Sequence, residues 1–261
     1  MLKKRLVGVV TVKDGWAVQS FGYKRYLPLG KPQCIVENLD RWGADEILVQ
    51  VIDRSINGLT PDFGLLETLG RLGLETPLIY GGGIRSIDDG VQAIQSGADR
   101  LVVDSILHDD LTPVRGLSER LGAQAIIAAL PLSWRNGRVE WLDYRHRCST
   151  LISPDVSSLI EAGIVSEILL VDWMNEGHQG RFELNLVKNF PFGGVPVITF
   201  GGISDSRQMT ELLQMPNVSA VAVGNFLSYR EHAVQKYKEA LSCMPLRFSS
   251  YESKYSAVAN V

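Results

Sequence analysis

The sequence predicts an α/β fold, a closed (β/α)8 TIM barrel with a pseudo-two-fold half-barrel repeat, and three observations predict it. Short apolar runs alternate with helical patterns eight times over 261 residues, a usual length for one such barrel. A Gly-rich turn ends a strand twice, in PLIYGGGI at 77–84 and in PVITFGGI at 196–203, and 196 − 77 = 119 residues separate them. A similar offset, 167 − 46 = 121, relates GADEILV at 43–49 to residues 163–170.

The individual elements follow from hydrophobic periodicity. β-Branched and apolar runs predict strands at residues 6–12, 47–52, 76–79, 101–103, 125–130, 168–171, 196–200 and 219–223. Apolar residues at helical spacing predict helices at residues 33–42, 62–73, 87–97, 113–121, 154–162, 183–190, 205–214 and 229–241. The KDG sequence at 13–15 breaks the first strand, and we expect a long loop from there to residue 32. RNGR at 135–138 predicts a hairpin turn.

We expect one domain over residues 1–244, with half-barrels at about 1–122 and 123–244, and a polar tail at 245–261. The net charge of −3 gives no reason to expect nucleic acid. Residues 1–5 lead into an apolar run too short for a signal peptide or a membrane span. The cysteines and histidines lack metal-ligand spacing, so we expect no metal and no cofactor, and the separated cysteines favour a reduced, cytoplasmic setting.

The two Gly-rich turns are candidate anion sites. Consecutive glycines let the backbone approach a ligand closely, and the helix after each turn presents unpaired N–H groups to an anion. We therefore expect a phosphorylated small molecule on one face of the barrel, with simple tight turns as the alternative. The candidate phosphate-binding residues are Gly82, Gly83, Ile84, Ser105, Gly201, Gly202, Ile203, Gly224 and Asn225.

Several motifs together resemble the HisF family, the cyclase subunits of imidazole glycerol phosphate synthase, over about residues 1–243. They are KR at 4–5, VKDG at 12–15, GADE at 43–46, GGGIRS at 81–86, SGAD at 96–99, EILL at 167–170 and GG at 201–202. The resemblance implies a two-fold symmetric barrel with a glutaminase partner on its N-terminal face. It also implies that ammonia passes through the barrel and reacts with a bis-phosphorylated ribonucleotide at the C-terminal face, giving imidazole glycerol phosphate.

The cyclase site departs from that family pattern. The two catalytic aspartates that the resemblance implies fall at Thr11 and Pro131, which cannot exchange a proton near pH 7, and each lost group removes about 10²–10⁴-fold of rate. Gln19, Val51 and Asp104 replace a phosphate-binding lysine, an aspartate and an asparagine of the family. We therefore expect the second Gly-rich turn to bind phosphate more readily than the first. Four carboxylates near the C-terminal ends of strands could replace the lost acids, or they could be solvated loop residues. They are Asp53, Asp104, Asp172 and Glu176.

The opposite face matches the family better. The resemblance implies a charged ammonia gate at the bottom of the barrel, formed here by Arg5, Glu46, Arg100 and Glu167, with Arg100 in place of a lysine. Asp99 matches a position that contacts the glutaminase. The alternative is a stability network, because bottom-face residues of such barrels usually serve stability.

Residues 21–32 and 52–53 resemble a divergent branch, the HisF-like glycosyl amidation-associated proteins of lipopolysaccharide and sugar-modification clusters. That branch implies a HisF-like synthase subunit that conducts ammonia from a HisH-like glutaminase to a third, ammonia-using sugar amidotransferase, although Pro131 departs from it too. Two alternative functions stay open: a working cyclase of histidine biosynthesis, and a scaffold that only activates its glutaminase. Trp16 and Trp173 follow strands and could line a pocket or plug the barrel mouth.

Overall fold

The structure is a computed structural model that describes residues 3–229 and 232–246. The strands are β1 (Arg5–Lys13), β2 (Trp16–Phe21), β3 (Arg25–Gly30), β4 (Glu46–Val51), β5 (Leu78–Gly81), β6 (Arg100–Val103), β7 (Ile126–Arg135), β8 (Arg138–Asp143), β9 (Cys148–Thr150), β10 (Glu167–Asp172), β11 (Val197–Phe200) and β12 (Val218–Val223). The helices are α1 (Pro32–Arg41), α2 (Asp53–Ile56), α3 (Phe63–Gly70), α4 (Ile87–Gln95), α5 (Ile106–Asp109), α6 (Thr112–Leu121), α7 (Pro154–Glu161), α8 (Asn185–Lys188), α9 (Ser206–Gln214) and α10 (Ala233–Ala240).

Eight parallel strands close into a barrel, as the sequence predicts. The order is β1, β4, β5, β6, β7, β10, β11 and β12, and β12 pairs with β1 to close the ring. Every connection between neighbouring barrel strands contains at least one helix or helical turn, the arrangement that covers a parallel sheet on its outer face. None of the helices in the described ranges has the length and apolarity that a membrane crossing requires.

Two parts of the predicted element list are corrected. The expected loop at 13–32 contains an antiparallel hairpin, β2–β3, which extends β1 beyond the barrel. Pro28 lies in β3 without breaking it, because β3 is an edge strand whose outer N–H groups need no partner. The helix expected at 183–190 is the single turn α8, and the helix expected at 229–241 is α10.

The predicted turn at 135–138 joins β7 to β8, whose strand pairing ends with Arg135 opposite Arg138. The polar tail expected at 245–261 falls mostly outside the described residues. At its start, Lys4 N donates a hydrogen bond to Pro245 O at 2.8 Å, and Leu246 forms a β-bridge with Lys4.

Alternation along each barrel strand divides the core into two layers. Along β1, Leu6 and Val10 pack outward beneath the helices, whereas Val7 and Val9 belong to the apolar cluster inside the barrel. The inward positions of this strand therefore run from the N-terminal to the C-terminal mouth. At its two ends lie Arg5, a residue of the expected ammonia gate, and Thr11, which stands at the position of a family aspartate, so both face the same interior.

The two Gly-rich turns repeat one close backbone contact. A Cβ on Gly82 would lie 2.3 Å from Val51 O, at the end of β4, and a Cβ on Gly201 would lie 2.4 Å from Asp172 O, at the end of β10. Both glycines have positive φ, 135° and 107° respectively. Each turn thus needs glycine for space and for conformation, and the equivalence of the contacts supports the half-barrel repeat.

We predict that Gly82→Ala lowers the free energy of unfolding by about 2–4 kcal/mol, because the methyl group meets a backbone carbonyl in a disfavoured conformation. Urea unfolding followed by circular dichroism measures the change. Gly193→Ala is the control, since a Cβ there would have no atom within 4 Å, and it should change stability by less than about 0.5 kcal/mol. Equal effects of the two substitutions would contradict this explanation.

Candidate functional site

Four charged side chains meet at the N-terminal mouth of the barrel and form what we call the charge ring: Arg5, Glu46, Arg100 and Glu167. Arg5 Nη1 donates to both carboxylate oxygens of Glu46 at 3.0 and 2.9 Å, and its Nη2 donates to Glu167. Arg100 Nη1 lies 2.7 Å from Glu167 Oε2 and 3.4 Å from Glu46 Oε1. Each arginine therefore contacts both glutamates.

Two serines and a carbonyl complete the polar contacts of the charge ring. Ser219 Oγ donates to Glu167 Oε1 at 2.6 Å, and Arg100 donates to Ser166 Oγ and to Gln124 O, each at 3.0 Å. Glu46 and Glu167 are 4% and 6% exposed, so their charges depend on these partners.

The pKa values of Arg5 and Glu167 reflect this pairing. Burial acts to lower the pKa of Arg5, but the carboxylates of Glu167 and Glu46 outweigh it and raise the pKa. Burial likewise acts to raise the pKa of Glu167, but Arg5, Arg100 and the Ser219 hydroxyl outweigh it and lower the pKa. The mutual contacts thus favour the charged forms of these side chains.

Asp99, the expected partner contact, lies beside the charge ring and is exposed. Its Oδ2 accepts a hydrogen bond from Leu78 N at 2.7 Å and so fixes the start of β5. Asp45 holds Leu6 N of β1 in the same way, also at 2.7 Å. Asp99 therefore has a structural role, and its exposure leaves it accessible to a docked protein.

The C-terminal mouth lacks the two expected acids and is covered by aromatic rings. Thr11 and Pro131 are buried at the inward-facing ends of β1 and β7. Tyr23, from the turn between β2 and β3, and Trp173, which follows β10, pack against the apolar interior. Trp173 therefore acts as a plug, whereas Trp16 is 52% exposed and does not.

A buried carboxylate holds the β2–β3 hairpin over this mouth. Glu176 is 2% exposed and accepts hydrogen bonds from Ser20 Oγ at 3.0 Å and Tyr23 N at 3.2 Å. Asn225 adds two contacts, accepting from Ser20 N at 3.1 Å and donating to Ser20 O at 2.6 Å. Burial raises the pKa of Glu176 against these hydrogen bonds. We call this set of contacts the latch.

The first Gly-rich turn is occupied by the protein itself. Gly83 N donates to Ser55 Oγ at 3.2 Å, and Tyr144, after β8, has Ser55 and Asp104 as electrostatic neighbours. Burial raises the pKa of Asp104 to about 7, against the effects of the Tyr144 hydroxyl and the positive charge of Arg145. Gly82 and Ile84 belong to the same turn, and Ser105 follows the next barrel strand and is buried. The Gly83 N–H that could face an anion is thus taken by Ser55.

The second Gly-rich turn borders a small recess with about 10 Å³ of free space, room for about one water molecule. Its lining contains all five phosphate candidates of the second half together with two residues at the latch, namely Gly201, Gly202, Ile203, Gly224, Asn225, Glu176 and Gly177. Thr11 lines it as well, so the recess adjoins the C-terminal end of the barrel interior. The second turn thus adjoins free space, whereas at the first turn Ser55 contacts the Gly83 N–H.

The four candidate replacement acids have different surroundings. Asp172 is 1% exposed and accepts hydrogen bonds from Asn175 Nδ2 and Glu183 N, each at 2.8 Å, so it organises its own loop, and burial raises its pKa. Asp53 Oδ2 accepts from Asp14 N at 3.0 Å and fixes the β1–β2 turn. Glu176 belongs to the latch. Asp104 remains as a buried acid at the mouth, and its Oδ1 has no hydrogen-bond partner among the described residues.

The described residues contain no cluster of three His, Cys, Asp or Glu side chains arranged to hold a metal ion. Sequence reasoning missed Tyr23, Tyr144 and Ser219. The contacts of the two tyrosines depend on tertiary packing, and both residues belong to loops with no predicted secondary structure, so the sequence does not indicate their roles. Ser219 begins the last predicted strand, but alternation with the inward-facing Ala220 would direct it outward. The register irregularity between β11 and β12 at this point accompanies its hydroxyl contact with Glu167, and the sequence pattern does not predict that irregularity.

The protein is a closed (β/α)8 barrel with a paired charge ring at one mouth and Gly-rich turns at the other. A family model described as "Histidine biosynthesis protein" matches residues 5–233. Imidazole glycerol phosphate synthase subunit HisF of Exiguobacterium sp. is 25% identical over 254 residues, covering 96% of this chain and 98% of that protein. The protein of the same name from Staphylococcus aureus strain MRSA252 is 28% identical over 251 residues, covering 92% and 97%.

The chain belongs to the histidine biosynthesis protein family, and within it to the HisF-like members.

We predict that Glu167→Gln lowers the free energy of unfolding at pH 7 by about 3–5 kcal/mol, because it leaves two buried arginines with one carboxylate. The folded-state pKa of Glu167 is below its ordinary 4.5, so its contribution is present above that pH and lost as the pH falls toward the folded value. Urea unfolding from pH 7 to pH 3 measures this. The difference in the free energy of unfolding between wild type and Glu167→Gln should narrow below pH 4.5. The exposed Glu161→Gln should not differ from wild type in this way.

Asp104 should have the opposite pH dependence. Its pKa is about 7 in the folded state and 3.8 ordinarily, so the folded state holds an extra proton between those values and stability falls as the pH rises through that window. Asp104→Asn should remove this dependence of the free energy of unfolding on pH. It should also stabilise the protein at pH 7 by up to about 4 kcal/mol. Unfolding titrations at several pH values test this, with the exposed Asp155→Asn as control. An unchanged slope would contradict the pKa assignment.

Proposed function

We propose that this chain is the barrel subunit of a cytoplasmic glutamine amidotransferase. It binds a HisH-like glutaminase at the N-terminal mouth, conducts ammonia through the barrel and delivers it to an acceptor at the C-terminal face. The acceptor chemistry is amidation of a sugar for surface polysaccharide, in which a third, ammonia-using sugar amidotransferase takes part. One observation carries the proposal: the charge ring is fully paired, while the opposite end of the same interior carries Thr11 and Pro131.

The charge ring suits a gate for a neutral molecule. Its weakest contact joins Arg100 to Glu46 at 3.4 Å, and Arg100 has alternative acceptors in Gln124 O and Ser166 Oγ. A small movement of Arg100 can therefore open the ring without leaving the guanidinium unpaired. Inside lies an apolar lining that includes Val7, Leu48, Ile79 and Leu169. Transfer of ammonium into such a lining is costly, whereas neutral ammonia crosses it more easily.

The C-terminal face argues against efficient cyclase chemistry. Ring closure in the family requires an acid and a base, and the loss of both removes about 10⁴–10⁸-fold of rate if the effects multiply. A bis-phosphorylated substrate also needs two anion sites. Here Ser55 already accepts a hydrogen bond from Gly83 N at the first turn, and the recess at the second turn has room for about one water molecule, so neither turn offers a preformed phosphate site.

A working cyclase of histidine biosynthesis is the second candidate. Two observations favour it: membership of the HisF-like family, and Asp104, whose pKa of about 7 suits a general acid or base at the mouth. A scaffold that stimulates its glutaminase without passing ammonia onward is the third reading. All three share a docked glutaminase, so the products formed at the C-terminal face distinguish them.

The experiment combines the purified chain with its cognate glutaminase and measures two rates. We expect glutamine hydrolysis to rise at least about tenfold on addition of the chain, a usual size for coupling between sites. With ammonium salt and the bis-phosphorylated ribonucleotide, imidazole glycerol phosphate should form at least about 10⁴-fold more slowly than with an authentic HisF. Glu167→Gln should remove the stimulation, and Glu161→Gln, exposed at the end of α7, should retain it.

Cyclase turnover equal to that of an authentic HisF would overturn the proposal and establish the second candidate. The acid–base residues would then be sought among Asp53, Asp104, Asp172 and Glu176. If the chain bound no glutaminase, the charge ring would be a structural network only. Stimulation without nitrogen transfer to any acceptor would support the scaffold reading.

A further inference from the structure

The recess at the second Gly-rich turn has the size of one small molecule and adjoins the barrel interior. Its free space of about 10 Å³ holds one water molecule, and ammonia is of similar size. Phe200 and Ala222, which belong to the apolar cluster inside the barrel, form part of its lining, and Thr11 of β1 lies beside them. The recess therefore lies at the end of the interior opposite the charge ring.

One wall of the recess carries a buried carboxyl group. Among the described residues that line the recess, Glu176 alone has an ionisable side chain, and it is 2% exposed. The hydrogen bonds from Ser20 Oγ and Tyr23 N both end on Glu176 Oε2, at 3.0 and 3.2 Å. Its Oε1 can therefore accept a further hydrogen bond, and a small donor in the recess has a carboxylate on its wall.

The surroundings of Glu176 do not neutralise its charge with a fixed ion pair. Neither an arginine nor a lysine of the described residues pairs with it, and the titratable groups that act on it are His178 on its own loop, and Tyr23 and Tyr26 on the β2–β3 hairpin. Burial raises the pKa of Glu176, because a buried carboxylate without a counter-ion is costly. A small cation in the recess would offset that cost.

Ammonia can supply this cation at the end of an apolar route. The neutral molecule crosses the interior, and it is a stronger base than a carboxylate, so it takes the proton of a Glu176 carboxyl group. The proton moves from the carboxyl oxygen to the nitrogen lone pair, no other bond changes, and an ammonium–carboxylate pair results. Return of the proton to Glu176 regenerates neutral ammonia, the form that attacks an acceptor.

We propose that the recess binds one ammonium ion between the Glu176 carboxylate and the Thr11 hydroxyl. This inference rests on the proposed function, which brings ammonia to the recess through the barrel. The site holds the nitrogen at the C-terminal mouth until an acceptor is present, and Glu176 takes the proton back on transfer. Ammonium donates hydrogen bonds in fixed directions, so two oriented oxygen acceptors distinguish it from a spherical cation of similar size.

Ammonium chloride is the probe, and the full chain alone is sufficient for the measurement. Thermal unfolding is followed at pH 7 in equal concentrations of ammonium, potassium and tetramethylammonium chloride, since tetramethylammonium is too large for the recess. At saturating ammonium we expect a midpoint about 2–4 °C higher than in tetramethylammonium, because a ligand of the folded state stabilises it. Potassium should give less than half of this shift, since it donates no hydrogen bonds.

A second readout follows the carboxyl group itself. Carbon-13 NMR of the Glu176 carboxyl gives its apparent pKa in ammonium and in tetramethylammonium chloride. We expect this pKa to be lower by at least about one pH unit in ammonium, because an adjacent cation favours the charged form against the effect of burial. A Glu176 that only holds the hairpin would titrate identically in both salts.

Three variants complete the test. Glu176→Gln keeps an oxygen acceptor for Ser20 and Tyr23 but removes the charge, so it should lose the difference between ammonium and tetramethylammonium. Thr11→Val removes the second acceptor with a side chain of the same shape and should weaken ammonium binding about tenfold. Glu140→Gln makes the same chemical change in β8, outside the recess, and should behave as wild type.

The outcomes separate this inference from the proposed function. Equal shifts in ammonium and potassium, or an ammonium shift that persists in Glu176→Gln, would overturn the ammonium site. Wild type that shows neither a thermal shift nor a change in the Glu176 titration would overturn it too, even if the chain stimulates its glutaminase. Specific ammonium binding by a chain that stimulates no glutaminase would support the site and overturn the proposed function instead.

Discussion

The mutual pairing of two arginines and two glutamates at the N-terminal mouth is the interaction on which the rest of this structure depends. Arg5, Glu46, Arg100 and Glu167 come from four different barrel strands, so the ring can form only when the barrel is closed in the correct register. Buried charges are costly unless paired, and a packed apolar layer would close this mouth at least as stably. In the function proposed above, these charges form a polar entrance into the apolar interior.

The C-terminal half of the molecule shows how a duplicated barrel loses its symmetry. Both Gly-rich turns keep the same close backbone contact, at Gly82 and Gly201, but different extensions cover them. Arg145, after β8, pairs with Asp109 of α5 at 2.6 Å and so anchors the segment that carries Tyr144 to the first turn. At the second turn the β2–β3 hairpin is held instead by Glu176 and Asn225, beside a recess with room for about one water molecule. The two halves thus keep the same turn beneath different covering segments.

Sequence patterns are sufficient for the barrel, because it depends on local rules, whereas the four residues of the charge ring follow from the resemblance to the HisF family. Alternation places Arg5 inside once β1 is a strand, and the 121-residue offset alone relates Glu46 to Glu167. The hairpin at 16–30 escapes prediction, because glycines at its turn and Pro28 in β3 are typical of loops, and only pairing with β1 makes the segment regular. The raised pKa of Asp104 is equally beyond sequence, since its cause is burial in the folded chain, which no local pattern around residue 104 predicts.

A footprint of the bound glutaminase tests most directly whether the charge ring is an entrance. Hydrogen–deuterium exchange of the chain with and without its cognate glutaminase measures which amides become protected. We expect protection at the starts of β1, β4 and β6, including residues 99–101 beside the ring, and unchanged exchange in the β2–β3 hairpin. Protection confined to the C-terminal loops, or no protection at a saturating glutaminase concentration, would contradict the assignment of the charge ring as the ammonia entrance.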